Sequence, residues 1–222
     1  MKNVSLLVFF VTVVGVLIST IIDIRWLHLV TKPLIMISLL LHYIFASQPE
    51  NRSRMVMLAI VFSLAGDVLL MDEDYFVHGL SAFLLAHVFY ISAYRQHQAD
   101  EASNALRGLH RVRLAFPIVL AGSGLVVILY PVLGNMQIPV MVYALVIAVM
   151  TIVALFRYGR TSTPSFWMVF GGAVLFMISD SLIAIDKFLT PIAFSGFLIL
   201  ITYCTAQFLI VTGLLKHRGE QS

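Results

Sequence analysis

Apolar residues run along this chain in eight stretches separated by charges, prolines and glycines, at roughly 4–20, 31–46, 55–71, 76–94, 113–130, 138–156, 166–185 and 192–215. A helix crosses the hydrocarbon of a bilayer in about 20 residues. The pattern therefore predicts an all-α polytopic membrane bundle of eight transmembrane helices, with residues 1–222 forming one integral membrane domain and no soluble domain. The first two stretches are short, which implies local thinning, altered tilt or snorkelling flanks such as Arg25 and Lys32.

Composition agrees with this reading. The 222 residues are 60% hydrophobic and 11% charged, against about 45–50% and 25% in ordinary soluble domains. The formal charge of +3 is spread over short interhelical loops rather than gathered on one face or tail, so nucleic acid is not expected as a partner. Eight spans put Lys2, Arg52, Arg54, Arg95, Arg107, Arg111, Arg113, Arg157, Arg160, Lys216 and Arg218 on one side and leave Arg25, Lys32 and Lys187 on the other. That bias places both termini in the cytoplasm, and one span more or fewer would scramble it. Lys2 and the apolar run from Val4 to Thr20 have the look of a signal peptide, but no small-x-small motif precedes Asp23, so they are read as a retained first helix. The sequons at Asn3 and Asn51 then fall on the cytoplasmic side and are silent.

Cys204, the only cysteine, lies inside the last apolar stretch and forms no disulfide framework or paired-thiol motif. No HxxxH or HExxH pair occurs, and no Ser/His/Asp set has a nucleophile elbow, so neither a bound metal nor another cofactor is expected. Gly122-Ser123-Gly124 and Gly171-Gly172-Ala173 read as small residues that permit close helix approach. Asp72-Glu73-Asp74 reads as a solvated loop.

Two acids interrupt apolar stretches: Asp67 in Phe62–Leu70 and Asp180 in Leu175–Ile183. A carboxylate at the centre of a membrane helix costs about 2.5–3.5 kcal/mol on insertion scales, which makes such a residue a functional candidate. The third and seventh spans run in the same direction, and both acids fall in the non-cytoplasmic half, so a carboxylate pair is possible. Asp67 and Phe76 echo Asp180 and Phe188 at nearly constant spacing, consistent with two parallel four-helix halves. The competing reading gives each acid only a structural hydrogen bond to a neighbouring helix, with Ser63 or Ser179 beside it.

Further polar groups are candidates to line the same cavity. His87, Tyr90 and Tyr94 share one face of the fourth span, and Tyr203 and Gln207 stand one turn apart on the eighth. Tyr143 belongs to the sixth. For each of these an interhelical hydrogen bond is the alternative. Lys32, before Pro33 at the outer start of helix two, either anchors that helix or meets a lipid phosphate.

In this order the motifs are Lys32-Pro33-Leu34, Ser63 with Gly66-Asp67, Tyr75 to Leu80 leading to Phe83, His87 and Tyr90, Gly172-Ala173, Ile178-Ser179-Asp180, Lys187-Phe188, and Tyr203 with Gln207-Phe208-Leu209. Together they cover nearly the whole chain, which resembles the lysoplasmalogenase (YhhN-like) family of membrane hydrolases. The resemblance implies cleavage of the sn-1 vinyl ether of a lysoplasmalogen, a single-chain lysophospholipid, to a fatty aldehyde and glycerophosphoethanolamine or glycerophosphocholine. Asp67 and Asp180 are then the candidate catalytic residues. Lys32, Ser63, His87, Tyr90, Tyr143, Ser179, Tyr203 and Gln207 are the candidates for binding substrate or water.

Vinyl ethers hydrolyse by proton delivery to carbon, which calls for a carboxylic acid still protonated near neutrality. Two close carboxyls share protons as a pair, and which is acid and which is base stays open here. The rival class is a small-molecule or proton-coupled transporter, for which parallel repeats and membrane acids are also ordinary. The expected location is the bacterial inner membrane, or the endoplasmic reticulum if the source is eukaryotic. Nothing in the sequence sets an oligomeric state.

Overall fold

The computed structural model describes residues 2–99 and 105–219. Among them lie eight α-helices and no strand: α1 (Lys2–Ile21), α2 (Arg25–Ala46), α3 (Arg54–Leu69), α4 (Phe76–Gln96), α5 (Leu109–Leu129), α6 (Gln137–Leu155), α7 (Thr163–Phe188) and α8 (Ser195–Gly219). Helices satisfy their own backbone donors and acceptors, which is what hydrocarbon demands of a lone chain segment. Seven of the eight are long and apolar enough to cross a membrane; α3 has 16 residues and falls short of that length. The chain divides into two compact units, Met1–Ala93 and Tyr94–Ser222, with the cut in the last turn of α4.

In the first unit, α1 packs on α2 along a buried stripe of Ser5, Phe9, Thr12, Val16 and Ser19. The hydroxyls of Ser5, Thr12 and Ser19 donate to carbonyls of their own helix, so small polar residues lie in the seam without an unmet donor. The second helix differs from the expected one. It begins at Arg25, which places Lys32 and Pro33 two turns inside it. The apolar pattern obscured this because Arg25, Trp26 and His28 interrupt the hydrophobic run. Pro33 removes one backbone donor, yet the neighbouring bonds hold the helix, as is common in membrane spans. With 20 and 22 residues, α1 and α2 are not short, and the expected bilayer thinning is unnecessary.

Arg52 follows α2 and donates from Nη2 to the Ile44 carbonyl at 2.8 Å, satisfying one of the acceptors that a helix end leaves open. The Ser53 amide donates to Tyr43 Oη at 2.9 Å. Between α3 and α4, a Cβ on Gly66 would come within 2.5–2.9 Å of the Phe83 ring. That contact requires glycine immediately before Asp67.

In the second unit, α7 and α8 pack antiparallel at very short range. Ser165 Oγ donates to the Gly213 carbonyl at 2.7 Å. Gly172 faces the Ala206 carbonyl, which a Cβ would approach to 2.8 Å, and Ser179 Oγ donates to the Ile199 carbonyl at 3.1 Å. The three small residues recur at seven-residue intervals, and so do their partners on α8. Gly213 closes in from the other side, where a Cβ would meet Val169 Cγ2 at 2.8 Å. The reading of Gly171-Gly172 as a close-approach site thus holds for Gly172, while Gly171 and Gly124 have no atom within 4 Å of a Cβ position.

Arg157, expected as an ordinary loop cation, is completely buried. Its Nε and Nη2 donate to the His97 carbonyl at 3.3 and 3.0 Å, and Nη2 also donates to Ser165 Oγ at 3.1 Å. The guanidinium lies over the Tyr94 ring, 6.0 Å from its centroid. Burial lowers its pKa to about 10, so it remains protonated at neutral pH. Through Ser165 it joins the end of α4, the α6–α7 turn and the close seam with α8.

Gly172→Leu is expected to destabilise the protein by about 1–3 kcal/mol through overpacking, while Gly171→Leu stays within about 0.5 kcal/mol of the parent; thermal unfolding in detergent measures both. The same assay on Arg157→Met should show a loss of about 1–3 kcal/mol, because the His97 carbonyl loses its donors.

Candidate membrane-embedded carboxylate site

The seam determines where Asp180 points. Ser179 faces α8, and the next residue is turned about 100° around the helix. Asp180 therefore meets α6, where Tyr143 Oη donates to its Oδ2 at 2.6 Å. That length is typical of a hydroxyl donating to a carboxylate, about 2.5–2.7 Å. α6 also approaches α7 at Thr151, whose hydroxyl donates to the Ile147 carbonyl of its own helix at 2.9 Å and lies 3.5 Å from the Ala173 carbonyl. Tyr143 is buried and Asp180 is half-buried.

Beside this pair is a cavity of about 40 Å³, lined by Gly122, Tyr143, Ala144, Met177, Asp180 and Ser181 among others. One water needs roughly 10–15 Å³ by the same measure, so the space admits a small number of waters next to a carboxyl group. Gly122, Met177 and Ser181 escaped the sequence reading. Met177 and Ser181 flank Asp180 on α7 at helical spacing, and Gly122 stood out only as a small residue.

Tyr203 and Gln207 come together on α8: Gln207 Nε2 donates to Tyr203 Oη at 3.4 Å, and the Tyr203 ring meets Phe176 edge-on at 5.4 Å. Ser179 is placed differently, because its hydroxyl is engaged in the α7–α8 seam. Near the end of α7, Asp186 Oδ1 accepts from the Ile192 amide at 2.7 Å and holds the turn into α8.

In the first unit, Ser63 and Asp67 stand one turn apart on α3, both buried. Phe83, His87 and Tyr90 form a buried stripe on α4, with Phe83 seated on Gly66. Lys32 is half-buried on α2.

Comparison with known proteins gives these residues a context. Residues 27–214 match the YhhN family. The chain is 34% identical over 171 residues to "Lysoplasmalogenase TMEM86A" of Homo sapiens, covering 73% of this chain and 66% of that protein. It is 34% identical over 178 residues to "Lysoplasmalogenase" of Mycobacterium tuberculosis, covering 78% and 65%. It is 30% identical over 158 residues to "Lysoplasmalogenase TMEM86B" of Homo sapiens, covering 71% and 62%. The match thus spans just under two thirds of the length of these curated relatives. No solved structure matches the chain. The family match extends over most of the chain and includes Asp67, Tyr143 and Asp180, and the chain belongs to the YhhN family.

Proposed function

We propose that this protein is a lysoplasmalogenase-type hydrolase, cleaving the sn-1 vinyl ether of a lysoplasmalogen to a fatty aldehyde and a glycerophospho-base. The observation that carries the reading is a carboxyl group inside a membrane span, hydrogen-bonded to a phenol beside a water-sized cavity. The relatives' names support it.

Hydrolysis begins when a carboxylic acid delivers its proton to the vinyl carbon remote from oxygen, converting the ether into an oxocarbenium ion. Water then adds to the carbon next to oxygen and gives up a proton to a carboxylate. The resulting hemiacetal collapses, its hydroxyl becoming the aldehyde and the glycerol oxygen leaving as the sn-1 hydroxyl. One proton is spent and one recovered, so the net change is the addition of one water.

We assign water activation to Asp180, whose Oδ2 is held by Tyr143 while the cavity offers a place for water. Proton delivery falls to Asp67, buried on α3 with Ser63 one turn away. This division of labour rests on the matched depth of the two acids in the sequence and on the precedent of carboxyl pairs that act as acid and base. His87, Tyr90, Tyr203 and Gln207 orient water and the sn-2 hydroxyl in this scheme, and Lys32 meets the phosphate. The distribution of basic residues supports a membrane orientation with both termini in the cytoplasm.

Purified protein given lysoplasmenyl substrate should release aldehyde. Asp67→Asn and Asp180→Asn should each lower the rate by about 10²–10⁴-fold, the usual worth of a general acid or base. Full activity in both variants, or accumulation of intact substrate inside proteoliposomes without aldehyde, contradicts the reading. Tyr143→Phe removes the donor to Oδ2 and should lower kcat by about tenfold with little change in KM, the pattern expected for an interaction made chiefly in the transition state.

A further inference from the structure

A second cavity adjoins the first. It is a groove of about 490 Å³ between α5 and α6, lined by Val119, Val127, Met141, Leu145, Val149 and Ile152 together with smaller residues. Its volume falls within the range of about 300–1,000 Å³ found for sites that hold small organic ligands. Gly122, Val126 and Ala144 line both this groove and the small cavity beside Asp180. The two spaces are therefore separated by a partition made of one glycine, one alanine and one valine.

The groove offers a ligand nothing but hydrocarbon. Its only hydroxyl, on Ser123, donates to the Val119 carbonyl of its own helix at 2.7 Å. Val119, Val127, Met141 and Leu145 are exposed on helices long and apolar enough to span a bilayer, so this surface faces lipid tails. On α6 the lining from Met141 to Ile152 covers about 16 Å of helix. At the partition, a Cβ on Gly122 would meet Ala148 Cβ and Met177 Cε at 3.6 Å, which is ordinary contact. Alanine fits there, and anything longer must project into the space between the two cavities.

We propose that the α5–α6 groove is the binding site for the substrate's hydrocarbon chain, entered sideways from the bilayer, with Gly122 and Ala144 forming the gap through which the ether end reaches Asp180. The chain's placement follows from the groove, while the identity of its reactive end rests on the hydrolase reading. A single flexible chain suits the site, because the apolar lining recognises no headgroup.

The test uses the full chain in nanodiscs and two readouts. The first is photolabelling with an uncleavable saturated alkyl-ether lysophospholipid carrying a diazirine midway along its chain. The second is turnover of lysoplasmenyl substrates of graded chain length by the wild type, Gly122→Ala, Gly122→Leu and Ala144→Leu. Label should map to the α5 and α6 groove residues and be competed by excess unlabelled analogue. The leucine variants, which obstruct the passage to Asp180, should lower kcat/KM about tenfold for every chain length, with Gly122→Ala close to the wild type. The wild type's own kcat/KM should rise with chain length as more of the groove is filled.

Label that resists competition marks bulk lipid and overturns the proposal. So do label confined to other helices and unaltered turnover by both leucine variants. Competed groove label on a wild type that releases no aldehyde supports the chain site and removes the hydrolase reading. Aldehyde release with no groove label does the reverse.

Discussion

Close contact between the backbones of α7 and α8 is the constraint from which the second unit's chemistry follows. Ser165, Gly172 and Ser179 lie against Gly213, Ala206 and Ile199, and at Gly172 and Gly213 even a Cβ would come within 2.8 Å of the facing helix. With the rotation of α7 set there, Asp180 is carried away from α8 toward α6 and Tyr143. A larger residue in the seam would turn or separate the helices, and that displacement would be felt at the carboxyl group without touching it. Packing in lipid relies on such contacts because there is no hydrophobic drive between helices whose surroundings are equally apolar. The buried guanidinium of Arg157 secures the same seam at one end by holding Ser165.

Among the described residues, many hydroxyls are already engaged. Thr12, Ser38, Ser81, Ser123 and Thr202, like many others, return a hydrogen bond to a carbonyl of their own helix, which is the low-cost way to carry such a group in lipid. Asp180 is different in kind. It accepts from a side chain on another helix and borders an open volume, so something small that enters there meets a carboxyl group. The adjoining groove is apolar throughout, apart from one self-satisfied serine. On the proposed reading, the apolar groove takes the chain of an amphiphile whose reactive bond lies where its chain joins its head, next to the cavity beside Asp180.

Much of this was legible in the sequence because membrane helices announce themselves. Hydrophobic runs located the helices to within a few residues, and Asp67 and Asp180 stood out because carboxylates are costly there. The start of α2 was not legible, since Pro33 marks a helix beginning in water yet sits comfortably inside a membrane helix. The burial of Arg157 could not be read either, because a solvated loop arginine and a buried one look alike until the carbonyl and hydroxyl that receive it are known. Tyr143 was one of several polar candidates, and only the relative rotation of α6 and α7 distinguishes it from the others. The groove was invisible because it is made of ordinary valines and other apolar residues, and what defines it is the space between two helices.

The central claim is that Tyr143 acts through Asp180 rather than beside it. A double-mutant cycle on aldehyde release, comparing Tyr143→Phe, Asp180→Asn and the combined variant with the wild type, tests this most directly. If the phenol works only by holding the carboxyl group, the double variant is no slower than Asp180→Asn alone. Rate losses that multiply would show two independent contributions and contradict the account.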